Sequence, residues 1–518
     1  MRAPAVVVVG SGAAGLAAAV AAAANGASVT VVEAAPAIGG TTAISGGGIW
    51  VPANPYAAAL GVDDSEDAAL RHLRALDLGD VDAELCRAYV AGGVRAVRCI
   101  EAHTPLRWQV LAGFPDYHAE LPGGRVHGRS LEIAPVEVPA AALAAVRADP
   151  YGARRLTINE EADPPGEAEL ARRERAGIVT RGRGLVAGLH AALLELGGTV
   201  RTNMRVEALL SASGTVVGAK AGDTTLEGSV ILASGGFERD DALVRSFLRG
   251  PMTAPAGPPS NRGDGLRLAM AEGAALGNMS EAWWCPALQV PGETIDGAPF
   301  SRMLFLDMAK PGCVLVDGSG ERFADEASNY NDLGRTLHDF DATGFAYRRV
   351  PSWAIFDAAR RARGPFGPLQ PGAPDPPWLL QADTLEGLAE LTGVPAGALR
   401  ATVERFNDNA ARGLADDFGR GSHAFDRFSG GGAEPCPVSE PPFSAVRVVP
   451  GCIGTKGGPR TDANGRVLRA RDGEPIPGLY AAGNAAANPF GAAYPGGGAT
   501  NGPALVFGWA AGETAAAS

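Results

Sequence analysis

Near the start of the chain an apolar run, Val6-Val7-Val8-Val9, breaks into Gly10-Ser11-Gly12-Ala13-Ala14-Gly15-Leu16, with glycines at the first, third and sixth places of a turn. Few folds accept that spacing. It reads as strand, tight turn and helix: Gly10 permits the turn, Gly12 lets a pyrophosphate approach bare backbone, and Gly15 lets the helix pack closely on the strand. An anion would then rest on the helix N-terminus, where unpaired N–H groups and the helix dipole favour negative charge. The predicted helix, Leu16 to Asn25, is rich in alanine, and a second apolar run from Ala27 to Val32 ends in Glu33, where an acidic partner for ribose hydroxyls belongs. Gly10, Gly12, Ala13, Ala14, Gly15 and Glu33 are therefore expected to hold a dinucleotide.

The second strand runs directly into Gly39-Gly40-Thr41-Thr42 and Ser45-Gly46-Gly47-Gly48, a continuation that a plain NAD domain does not require. This stretch resembles the FAD site of the fumarate reductase and 3-ketosteroid dehydrogenase superfamily, which implies FAD contacts from Gly40, Thr41, Thr42, Ser45, Gly46 and Gly47. Some members bond the flavin covalently to a histidine in this loop. Here the loop has none, so FAD is expected to be held non-covalently.

With 518 residues the chain exceeds the size at which single cores stop growing, so two domains are expected. A net charge of −12 argues against a nucleic-acid surface, which needs clustered Lys and Arg. The six cysteines form no C-x-x-C pair, so neither a metal site nor a disulfide frame is expected. Met1-Arg2 and the apolar sequence after it look superficially like a leader, but the glycine turn inside makes nucleotide binding the better reading. No uncharged run is long enough for a membrane span, and a cytoplasmic protein is expected.

Further along, strands are predicted at Arg205 to Ser211, Val216 to Lys220 and Ser229 to Ala233, the last ending in Ser234-Gly235-Gly236-Phe237. In the same superfamily such a strand passes beside the FAD diphosphate, which adds Val206, Ala233, Gly235 and Gly236 to the expected site. The composition shifts at Trp283-Trp284-Cys285-Pro286, and from there to about 445 the chain shows one long helical pattern, Thr384 to Ala411. It then returns through Gly483-Asn484 to Gly496-Gly497-Gly498-Ala499-Thr500 before a last helix. Gly483, Asn484, Ala499 and Thr500 complete the cofactor set. The expected architecture is α/β: a Rossmann-like, glutathione-reductase-type FAD-binding domain (1–281 and 446–518) with an inserted α+β substrate or cap domain (282–445).

Three tyrosines fall in loop motifs: Tyr117 in Pro115-Asp116-Tyr117, Tyr330 in Ala327-Ser328-Asn329-Tyr330, and Tyr494 in Ala493-Tyr494-Pro495. Together with Gly320-Glu321-Arg322-Phe323 and Trp283-Trp284 they resemble 3-ketosteroid Δ1-dehydrogenases over nearly the whole chain. The resemblance implies that Tyr494 and the Gly498 N–H hold a ketone oxygen, that Tyr330 aided by Tyr117 takes the neighbouring proton, and that FAD takes the hydride. It also implies a small hydrophobic ketone as substrate and an unidentified electron acceptor. A phenol of ordinary pKa near 10 is a weak base at neutral pH, and Tyr117 is expected to lower that of Tyr330.

A fumarate or urocanate reductase is the main alternative. It needs arginines and histidines as clamp and acid, and Asn488 to Tyr494 contains neither. A Δ4 or natural-product desaturase shares the framework. A mere electron carrier would not need so large an insert. The polar loop Pro291 to Asp307 and the charged Asp307-Met308-Ala309-Lys310 are more than a sterol pocket requires, so a non-steroid cyclic ketone stays open. Arg322 reads as an ion-pair partner of Asp325 or Glu326, His118 as a solvated loop histidine, and Thr455-Lys456 as a weak candidate for the flavin wall.

Acid precipitation of the purified protein should release all of its flavin into the supernatant. Colour retained by the washed precipitate would show a covalent bond.

Overall fold

The protein is described from a computed structural model covering residues 3–152, 156–412, 417–430 and 436–518. Met1 and Arg2 of the leader-like start lie outside the described residues. Strand Ala5–Val9 sits inside a six-stranded sheet, parallel to Ser28–Val32 on one side and Ser229–Leu232 on the other. Pro475–Ala481 extends the sheet beyond Ser229–Leu232, Thr199–Arg201 extends it beyond Ser28–Val32, and Arg466–Leu468 adds an antiparallel edge. The continuous valine runs follow from burial on both faces: Val6 and Val8 pack against the helix Ala13–Ala24, and Val7 and Val9 against Val216, Ala219 and Leu226 of a three-stranded sheet. That antiparallel sheet, Ala208–Ala212, Thr215–Ala221 and Thr224–Glu227, packs beside the first.

The glycine turn works through close backbone approach. At Gly10 φ is +106°, and a Cβ there would lie 2.3 Å from the Ala233 carbonyl oxygen; at Gly15 it would lie 2.0 Å from that of Gly10. The helix begins earlier than predicted, spanning Ala13–Ala24, because alanines fit the first turn and Gly12 takes the cap position. The last helix, Asn501–Ala516, lies on this one with small residues between them. Cβ atoms at Gly508 and Gly512 would come within 2.5 Å of Ala14 O and 2.1 Å of Ala18 O. Ends of the chain thus share one core.

A second, seven-stranded sheet is built on Phe443–Thr455, flanked by Ala282–Ile295 and Ser352–Phe356, with Ala298–Met303 and Cys313–Asp317 outside them. Ala254–Pro255 and Leu380–Ala382 also pair with Phe443–Thr455. That strand runs across the expected return point at 446. The single predicted helix from Thr384 is two, Leu385–Thr392 and Ala396–Arg412. Gly393, at φ +76°, ends the first in a left-handed cap, and Pro395 stands in the link. Shorter helices, Tyr330–Thr336, Ala358–Arg363 and Ala424–Ser429, also went unpredicted, since each is too short to show a period. The expected polar loop after Pro291 is an antiparallel hairpin between Ala282–Ile295 and Ala298–Met303, and Arg302 in it pairs with Glu293. Among the described residues no helix is long and apolar enough to cross a membrane.

Replacing Gly512 by Ala should force the two helices apart and destabilise the fold by ~1–3 kcal/mol. Gly397 stands within the helix Ala396–Arg412 with open space around it. There the same change should stabilise by ~0.5–1 kcal/mol. Urea midpoints moving in opposite directions would agree; a neutral Gly512→Ala would contradict the packing described.

Candidate active site

The two sheets enclose a cavity of about 850 Å³. One part is lined by Gly10, Gly12, Ala13, Ala14, Glu33, Gly40, Thr41, Thr42, Ser45, Gly46, Gly47, Val206, Ala233, Gly235, Gly483, Asn484 and Thr500. Segments far apart in sequence therefore meet on one surface. Three expected contacts do not line it. Gly15 faces the Gly10 carbonyl, Gly236 faces Thr455 Oγ1 (2.3 Å from its would-be Cβ), and Ala499 is sealed in the core.

This part of the cavity fits a dinucleotide. A Cβ on Gly12 would meet nothing nearer than 3.6 Å, so the turn presents bare backbone to the cavity. The helix behind it has no acidic residue in its first turn, which leaves the positive end of the dipole for an anion. Glu33 is buried and held by Ser11, whose Oγ donates to it at 2.6 Å. Among the described residues no histidine lines the cavity.

The tyrosines gather on the remaining wall. Ring centroids of Tyr117 and Tyr330 are 5.6 Å apart, those of Tyr117 and Tyr494 5.0 Å, and those of Tyr330 and Tyr494 5.5 Å, all edge to face. Phe425, Phe305 and Trp283 pack around them. Tyr330 donates its hydroxyl to Tyr494 Oη at 2.9 Å, and Tyr494 lies 3.0 Å from Thr500 Oγ1. Gly498 lines the same wall with φ +94°, wedged so closely on Ile49 that a Cβ would lie 2.4 Å from its backbone nitrogen. The expectation that Tyr117 lowers Tyr330 is not met. Burial raises Tyr330 well above the ordinary phenol value, and Tyr117 and Tyr494 raise it further.

Each tyrosine is fixed by neighbours. Tyr330 opens the helix Tyr330–Thr336, capped by Asn329, whose side chain accepts from the Asp332 N–H. The Asp332 carboxylate meets His118 Nε2 at 2.6 Å, which ties Tyr330's helix to the residue next to Tyr117. Burial works to lower the His118 imidazole, but the hydrogen bond and charge of Asp332 outweigh it and raise it. The predicted solvated histidine is thus a clamp. The Tyr117 N–H donates to the Pro495 carbonyl at 3.1 Å, and Asp116 takes hydrogen bonds from Trp50 Nε1 at 2.7 Å and Arg129 Nη1 at 2.8 Å. Burial pushes the Asp116 carboxyl up to about 6, although Arg129 acts against this. Arg322 pairs with Glu326.

Lys456 was the least legible. It is fully buried at the end of strand Phe443–Thr455. Its ammonium donates to the carbonyls of Gly491, Ala492 and Ala493 at 3.0, 2.9 and 2.8 Å and lies 4.2 Å from the centre of the Trp283 ring. Those carbonyls immediately precede Tyr494, so one side chain sets the loop that presents it. Burial pulls the ammonium down to about 7. A lysine following an apolar strand was the available signal; its partners are backbone groups that no residue type announces.

A family model described as an FAD binding domain matches residues 5–500. The chain is 40% identical to 4-oxocyclohexanecarboxylate 2-dehydrogenase of Sinomonas cyclohexanicum, covering 99% of this chain and 92% of that protein. It is 37% identical to 3-oxosteroid 1-dehydrogenase of Mycolicibacterium smegmatis, covering 99% and 98%. Among solved structures it is similar to 3-ketosteroid Δ1-dehydrogenase from Sterolibacterium denitrificans in complex with 1,4-androstadiene-3,17-dione, with TM-score 0.91, 36% identity and 99% of each chain covered. The chain belongs to the FAD-binding family of flavoprotein oxidoreductases, in the branch that resembles the 3-ketosteroid Δ1-dehydrogenases. Its cofactor is FAD.

Lys456→Met keeps the length and loses all three hydrogen bonds, and each orphaned carbonyl is expected to destabilise by ~1–3 kcal/mol. The variant should keep its FAD, unfold at lower urea and turn over at least about tenfold more slowly. Unchanged turnover would remove Lys456 from the positioning of Tyr494.

Proposed function

We propose that this enzyme introduces a carbon–carbon double bond beside the carbonyl of a hydrophobic, 3-ketosteroid-like ring ketone. The observation that carries this reading is the convergence of the Tyr330 and Tyr494 hydroxyls and Gly498 on one buried wall of the cofactor cavity. Its relatives named above act on ring ketones of very different size, which leaves the ketone ring as the part their substrates share.

In our reading the ketone oxygen accepts from the Tyr494 O–H and the Gly498 N–H. Each such donor aimed at developing negative charge contributes typically ~3 kcal/mol, and more in a site closed to water than in an open one. Tyr494 can do this by turning its proton from Thr500 Oγ1, 3.0 Å away, to the ketone. Polarising the carbonyl acidifies the neighbouring C–H. Tyr330 receives that proton, with Tyr117 beside it to hold its oxygen in place. The high proton affinity of a buried phenolate favours the transfer once the base is ionised, and makes the ionised base scarce at neutral pH. Bound FAD supplies the two-electron acceptor for the hydride that leaves the next carbon.

The electrons then pass to an acceptor outside the chain. We assign the enzyme to the cytoplasm on the ground that, among the described residues, Cys86, Cys99, Cys285, Cys313 and Cys452 form no disulfide, which suits a reducing compartment. We also keep the division at 282–445, with Tyr330 from the insert and Tyr117 and Tyr494 from the flanking parts.

Mixed anaerobically with androst-4-ene-3,17-dione or 4-oxocyclohexanecarboxylate, the enzyme should bleach its flavin and yield the unsaturated ketone. Tyr330→Phe should keep FAD and lose ~10²–10⁴-fold in bleaching rate. The wild-type rate should climb with pH without a plateau below about 10, since burial raises Tyr330 above the ordinary value. No bleaching by any ring ketone, with reduced enzyme reoxidised by fumarate, would favour the enoate reductase instead.

A further inference from the structure

Beyond the tyrosines the cavity wall changes character. Phe305 packs on the Tyr330 ring at 4.9 Å, and five residues later the same segment brings Lys310 to the cavity. Arg360 and Arg363, from the helix Ala358–Arg363, line the cavity as well. An apolar tail gains nothing from such a surface, because cationic groups must be stripped of water to receive it.

The other cations lining the cavity are occupied. Arg302 is held by Glu293 through two bonds of 2.8 Å, and Arg181 by Glu161. Lys310 Nζ and the Arg363 guanidinium have no ion pair or hydrogen bond with any described residue. Arg360 is 1% exposed and donates to the carbonyls of Asp307, Gly364 and Pro365, while its Nε finds no acceptor. Of the carboxylates on this side, Glu161 is taken by Arg181, and Asp307 accepts from the Gly367 N–H at 2.7 Å, with burial raising its carboxyl and Arg360 acting against this. Burial, and then the charge of Arg360, lower the Lys310 ammonium, while Asp307 and Glu161 act to raise it, so three cations face two carboxylates on this side of the cavity.

We infer that Lys310, Arg360 and Arg363 form a subsite for a carboxylate carried by the ketone substrate, away from its reacting carbonyl. This rests on the ketone dehydrogenase reading above and names its substrate class: a ring ketone acid. The tyrosine wall takes the carbonyl end, and the cationic wall takes the anionic end. The turn Gly10 to Ala14 with its helix N-terminus already provides a place for the cofactor's phosphates, so the cationic wall is left for the substrate.

The test uses holoenzyme and two acids of different reach, 4-oxocyclohexanecarboxylate and 3-oxoandrost-4-ene-17-carboxylate, each beside its neutral methyl ester. At least one acid should exceed its ester about tenfold or more in kcat/KM, as a charge-assisted contact gives. Lys310→Met and Arg363→Met should each remove most of that preference while changing ester turnover less than about twofold, and Lys310→Arg should preserve it. Esters turned over as well as both acids, or variants that lose FAD, would overturn the subsite and leave ketone dehydrogenation standing. Failure of every acid and ester to reduce the flavin would instead strike the ketone reading, and the subsite with it.

Discussion

A hydroxyl enclosed by aromatic rings has to find its hydrogen-bond partner in another side chain, and Tyr330 and Tyr494 depend on that requirement. Tyr330 satisfies itself on Tyr494, and Tyr494 lies within reach of Thr500. The chain of hydroxyls runs from the inserted sheet's side of the cavity to the start of the last helix. Without it, two buried phenols would each be left with an unmet donor, at ~1–3 kcal/mol apiece.

Much of the surrounding polar structure acts to hold this group in register. Lys456 fastens the three carbonyls before Tyr494, Asp116 and Arg129 fasten the loop at Tyr117, and the His118–Asp332 pair joins that loop to Tyr330's helix. All are buried or half-buried, where a polar group must be paired or remain unsolvated. Charged residues that look incidental in the sequence thus serve the geometry of neutral ones.

What the sequence disclosed and what it hid have separate physical causes. The turn at Gly10 was legible because only glycine accepts φ +106° with a carbonyl 2.3 Å from its missing Cβ, so the residue type itself reports the geometry. Thr41, Thr42 and Ser45 followed from their place in the same run. Gly236 shows the limit: it shares a motif with Gly235, yet it lies against the side chains of Thr455 and Glu238 and not on the cavity. Phe443–Thr455 was hidden as the axis of the second sheet, since its partners come from both sides of it in sequence. Lys456 was hidden because its acceptors are main-chain oxygens, and Tyr330's raised proton affinity because burial is a property of the fold.

The central claim is that a base on the protein removes a proton beside the ketone while a hydride leaves the next carbon. The most direct measurement is the anaerobic rate of flavin bleaching with ring ketone deuterated at one or other of these carbons. A primary isotope effect from each position, with the effect at the carbon beside the carbonyl rising as pH falls and the base becomes scarcer, is the predicted result. Bleaching insensitive to deuterium beside the carbonyl at every pH would contradict the role given to Tyr330 and the tyrosine wall.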